Sequence, residues 1–209
     1  MLKRWFNRGK KEAESQPAAP PPAPHARWEP PTIPDASYYN LHLHNATLDE
    51  AEQAIREHYF LHGESGTPGA LLSRQGEWVT AYLPEAVVRG VGFNRLASQI
   101  ARERGDWVIS YRVYAAEGLD VHYFRGSEHL DQLVFSRDGV EFEPETPALF
   151  ADLADVSAIV PRRAAQHPLD FHFALLSALG IRDAALPWNE ALASHEAGIL
   201  GDSRLILIP

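Results

Sequence analysis

The 209-residue chain contains no cysteine, which excludes disulfides, thiolate nucleophiles, zinc–thiolate centres and iron–sulfur ligation, though not any compartment. Lysine is almost missing as well: Lys3, Lys10 and Lys11 are the only three, all in the first eleven residues. No apolar run approaches the roughly 20 residues a membrane-spanning helix needs. The basic start MLKRWFNRGKK is not followed by the apolar stretch of about 7–15 residues that makes a secretory signal. These absences point to a cytoplasmic protein. Motifs are scarce too. Gly90-Val-Gly92 lacks the third glycine of a dinucleotide fingerprint, no Gly-Lys-Ser/Thr phosphate loop occurs, and Ser65 has no glycine two residues on for a nucleophile elbow. The residues therefore nominate no catalytic group and no cofactor.

What is present is organised by charge and by proline. Residues 1–15 form a basic head, and residues 17–34 hold 8 of the 16 prolines, a composition that gives an extended spacer rather than a core. The expected layout is a head (1–15), a proline-rich linker (16–34) and one domain (35–209). In the head, Leu2, Trp5 and Phe6 share one side of a helical turn while Lys3, Arg4 and Arg8 point elsewhere. That pattern suits an anionic membrane surface or a partner's groove through residues 1–11, which would place the protein at the inner membrane face; the alternative is a disordered basic terminus. From Asp35 onward 13 arginines face 25 aspartates and glutamates, a formal charge of −12. So acidic a body is a poor general nucleic-acid binder, because phosphate contacts supply most of that affinity, and it suits a basic protein partner.

Periodicity then sets out the domain. YYNLHLHN alternates as a strand with Leu41 and Leu43 toward the core. TLDEAEQAIREHYFLHG is a helix with Thr47 as its cap and Glu50 three residues on. GALLSR and EWVTAYLP make a hairpin around Gln75-Gly76. GFNRLASQIARERG is a second helix, stopped at Gly105. DWVISYRVYA, LDVHYFRG and QLVFSRDG are three further strands. Strand, helix, strand, strand, helix, strand matches the split βαβ of ferredoxin-like folds, an α+β antiparallel sheet extended by further strands. Residues 146–200 look helical, and RLILIP is a last strand.

Two groups could carry function. Histidines 42, 44, 58 and 62 are spaced by two on a strand and by four on a helix, so each pair shares a face. Strand alternation explains the first pair without a metal, and Glu57 beside His58 points off the shared face, so the expectation is no metal site, with these four as weak candidates. The other group is a mixed aromatic and polar sheet face made by Trp78, Tyr82, Arg112, Tyr114, His122 and Phe124, which would bind a ligand if open. The C-terminal helices, however, must bury an apolar stripe, and that second face is the natural place for it.

The run from GEWVTAYLPE through FNRLASQIARERGDWVISYRVYAAEGLDVHYFRGSEHLDQLVFSRDG to HFALLSALGIRDAALPWNEAL resembles uncharacterised bacterial α+β domains. They share a Trp-containing strand, a Leu-Ala-x-x-Ile/Leu helix, a valine-rich strand and a late Leu-Gly-Ile helix. Some of them look like immunity or accessory proteins encoded beside toxins. Where they usually carry an acidic-Ser pair after the last strand, this chain has Phe135-Ser136-Arg137. The resemblance implies a non-enzymatic protein-binding or regulatory module and brings no catalytic residues. The alternatives are a small-molecule or metal-dependent enzyme using the histidine-rich faces, and a peripheral membrane protein.

Overall fold

Alternation of apolar and polar residues, followed by a capped amphipathic turn, starts the fold as the sequence leads one to expect. The computed structural model describes residues 37–59, 65–88, 92–114, 118–136, 139–142, 150, 153, 168–181 and 186–209, all within one unit, Pro31–Pro209. Strand β1 (Tyr38–His44) leads into helix α1 (Leu48–Tyr59). The Glu50 carboxylate accepts from the Thr47 backbone N–H at 2.8 Å, and the Thr47 hydroxyl accepts from the Glu50 N–H at 3.2 Å, a closed capping box. Strands β2 (Pro68–Gln75) and β3 (Trp78–Leu83) form the hairpin, turning at Gly76 with φ +62°. A short helix α2 (Glu85–Val88) precedes α3 (Phe93–Arg104), which ends at Gly105 in the left-handed region. Three long strands follow, β4 (Trp107–Tyr114), β5 (Gly118–Arg125) and β6 (Glu128–Ser136), then β7 (Gly139–Phe142). Helices α4 (Pro168–Ala178) and α5 (Trp188–Glu196) and strand β8 (Ser203–Leu207) complete the order.

The eight strands form one sheet in the order β7-β6-β5-β4-β1-β3-β2-β8, and every neighbouring pair is antiparallel. This is an α+β architecture with helices on both faces of the sheet. One face carries Leu41, Leu43, Leu72, Val79, Ala81 and Val108, buried under Ala51 and Ile55 of α1 and Phe93, Ala97 and Ile100 of α3. The opposite face carries Tyr38, Trp107, Ile109, Tyr111, Val121, Tyr123 and Leu133 against Leu175, Leu176 and Leu179 at α4. On that same side Leu71 and Tyr82 pack against Ala191 of α5 and Leu200. Helices α4 and α5 thus cover the side that holds Trp78 and Tyr82, whereas Arg112, Tyr114, His122 and Phe124, expected beneath the same C-terminal helices, lie on the α1–α3 side.

Candidate functional site

Along β4, Ser110, Arg112 and Tyr114 point to the α3 side of the sheet, and antiparallel pairing sets Ser110 opposite His122 and Arg112 opposite Asp120 on β5. Arg112 Nη2 donates to Asp120 Oδ2 at 2.8 Å, and its guanidinium lies 4.3 Å from the Tyr114 ring centroid. Asn94, in the first turn of α3, reaches down to the same place: its amide donates to Asp120 Oδ2 at 3.5 Å, and its Oδ1 accepts from the Ser110 hydroxyl at 3.0 Å. His122 Nε2 lies 2.7 Å from Asp120 Oδ1, an ion-pair contact out of line for a good hydrogen bond. The other ring nitrogen, Nδ1, is 3.0 Å from His129 Nε2. His122 also stacks on Phe124, centroids 6.0 Å apart and planes 9° apart.

The electrostatics follow from these distances. Burial pushes the Asp120 carboxyl up, but His122, Arg112 and Asn94 outweigh it and hold Asp120 below the usual carboxylate range. His129 is lowered, first by partial burial and then by the neighbouring His122 ring. In the His122–His129 contact one ring must donate while the other accepts, so a proton can be exchanged between them beside a charge-balanced Asp120–Arg112 pair. The Ser110 hydroxyl donates to Asn94 and is not placed to act as an activated nucleophile.

Four of the six aromatic–polar candidates, Arg112, Tyr114, His122 and Phe124, thus lie together. Trp78 and Tyr82 do not. Register pairs Trp78 with His44 and Tyr82 with Asn40, on the opposite face, where Trp78 is 2% and Tyr82 0% exposed. The six are split between the two faces, because paired residues of antiparallel strands point the same way and the sheet lies between the two sets. Asn94, Asp120 and His129 were not singled out in the sequence. His129 is hidden by a β-bulge: Tyr123 pairs with Asp131 but Phe124 pairs with His129, leaving Leu130 as the extra residue. Plain alternation would put His129 on the Tyr123 side; the bulge turns it to the His122 side.

The weak metal candidates do not converge either. His42 and His44 belong to the face covered by α4 and α5, whereas His58 lies on α1 across the sheet. His42 is fully buried, its Nδ1 3.0 Å from the Thr80 hydroxyl and its Nε2 without a hydrogen-bond partner. Burial pushes it down to about 3. His44 Nδ1 contacts Asp106 Oδ1 at 3.0 Å, with its ring against Trp78. His58 Nε2 meets Glu103 Oε2 at 3.0 Å. His62 and the head residues Leu2, Lys3, Arg4, Trp5, Phe6 and Arg8 lie outside the described residues.

A cleft of about 670 Å³ opens at the far end of the covered face, between the β2–β3 turn, the end of α4 and the α5–β8 connection. Arg74, Ser177, Ile199 and Leu200 line it. Ile199 is 74% exposed, the most exposed large apolar residue described. Glu196 and Asp202, three residues to either side of it, are both exposed. No helix among the described residues is long and apolar enough to cross a membrane. Compared with known proteins, the chain matches no family model, no curated protein and no solved structure.

Proposed function

We propose that the chain is a non-enzymatic protein-binding or regulatory module that holds a basic partner segment at the Ile199 cleft, in the manner of the immunity and accessory proteins it resembles. The observation that carries this reading is the exposed Ile199 at the rim of a cleft, flanked by Glu196 and Asp202. An exposed apolar side chain with acidic residues three positions to either side, at a cleft also lined by Arg74, fits a partner segment that offers an apolar side chain together with basic residues. The ion pairs of the body reinforce it. Arg56, Arg104, Arg112 and Arg204 are engaged by Glu52, Glu50, Asp120 and Asp49, so these arginines do not offset the exposed carboxylates of α5 and its following turn. The segment β4-β1-β3-β2, with α1 and α3 as its connections, supports reading the centre of the sheet as a ferredoxin-like split βαβ core. The module would work in the cytoplasm, with the basic head and proline-rich linker as its tether.

Capture of proteins from source cells by the immobilised full chain tests this. The expected result is a specific partner of net positive charge, lost with the Ile199→Asp variant. Retention of abundant chaperones alone, equally by both forms, would reject the reading.

A second reading has one observation in its favour: the Asp120–His122–His129 array beside Arg112 has the make-up of an acid–base group in a histidine-using enzyme. Loss of a detected activity in His129→Ala, with folding kept, would support that reading over the first.

A further inference from the structure

Glu57 and His58 stand on the last turn of α1 and Glu103 on the last turn of α3, and one ligand atom from each lies within 4.8 Å of the other two. On a lone helix Glu57, at i+1, points away from His58; here α3 brings the Glu103 carboxylate within reach of both. We propose that Glu57, His58 and Glu103 form a binding site for a divalent transition metal of the zinc type, clamping α1 to α3.

The donor set suits such an ion: one imidazole nitrogen and two carboxylates, which together offset its charge. Three protein ligands and an open position for water is a common arrangement for zinc. Tetrahedral ligands at about 2.0–2.1 Å from the ion stand about 3.3 Å from one another, so the side chains need only small rotations to close on it. The site is more than an acidic patch. The His58 side chain is 10% exposed, with Nε2 directed at Glu103 Oε2 at 3.0 Å. Each carboxylate has its Oε1 held by a glutamine amide one turn back: Gln53 to Glu57 at 2.9 Å and Gln99 to Glu103 at 3.1 Å. Those neutral donors orient the ligands without cancelling their charge, as outer partners of metal ligands do. Of the nearby arginines, Arg56 is turned to Glu52 and Arg104 to Glu50 and the carbonyls of His44 and Asn45, while Arg102 acts on Glu103 through its charge without a direct contact to it among those described. Binding through Nε2 displaces its proton, leaving the ring protonated at Nδ1.

Calorimetric titration of the chelator-treated full chain with zinc chloride tests the proposal. One equivalent should bind, with affinity reduced roughly tenfold or more in Glu57→Gln, His58→Ala and Glu103→Gln, but unchanged in His129→Ala, which breaks the His122–His129 pair. Zinc should also raise the thermal midpoint of the parent and not of Glu103→Gln. Glu57 is exposed, so Glu57→Gln keeps the test open even where His58→Ala fails to fold. No stoichiometric binding, or equal affinity in parent and Glu57→Gln, would overturn the site.

Discussion

His42 sits at the middle of the sheet with its ring fully buried, hydrogen-bonded to Thr80 on one side only. Desolvation disfavours its charged form and brings it from 6.5 to about 3. A base whose folded-state value is depressed binds fewer protons folded than unfolded. Its neutral form therefore contributes stability that is present above about 6.5 and is lost as pH falls toward about 3. In chemical denaturation across that window, the parent should lose up to about 1.4 kcal/mol more per pH unit than His42→Leu. Parallel pH profiles for the two proteins would contradict the buried, neutral ring. Asp120 works in the opposite sense of charge, as the anion shared by Arg112, His122 and Asn94. Asp120→Asn should cost roughly 1–3 kcal/mol in urea unfolding. It should also lower His129 further, since the Asp120 charge is among the influences that raise it; an unmoved His129 titration by NMR would separate the two sites. The leucines of Leu-His-Leu-His were legible by alternation alone, because Leu41 and Leu43 face α1 and α3 whatever covers the other side. The histidines were not, since alternation gives a face but not what packs on it.

Among the elements, those made by local chemistry could be read directly. The Thr47–Glu50 box closes α1, and Thr47→Ala should destabilise by about 1 kcal/mol in thermal or urea unfolding; a change near zero would mean that the α1–sheet contact alone sets where the helix starts. The Gly76 and Gly105 turns likewise follow from glycine's tolerance of positive φ. What failed was whatever depends on distant partners. Alternation along each strand groups Trp78 and Tyr82 with Arg112, yet it does not say which alternate faces α3; only the β1–β3 and β1–β4 registers do. The bulge at Leu130 is the same lesson at one residue, since nothing local marks it and it moves His129 across the sheet. The Glu57–His58–Glu103 group needed the packing of α1 beside α3, two helices separated by a hairpin in sequence.

At the scale of the whole molecule, α1 and α3 pack on one side of the described sheet and α4 and α5 on the other, so the proposed binding site lies at the end of the sheet rather than on a face. The turn before β8 carries the most exposed large apolar residue described, Ile199, with exposed Glu196 and Asp202 three residues to either side. The acidity of the body was legible from composition; which arginines the fold engages with carboxylates was not, because those pairs join residues far apart in sequence. Recognition at this corner is tested by the affinity of the captured partner for parent, Ile199→Asp and Glu196→Lys/Asp202→Lys at two ionic strengths. All three substituted positions are exposed, so the variants should fold as the parent does. The expected result is a loss of roughly tenfold or more with Ile199→Asp, and slower association with weaker salt dependence for the charge reversal. Equal affinities in all three proteins, with no response to salt, would contradict recognition of a basic partner at this corner.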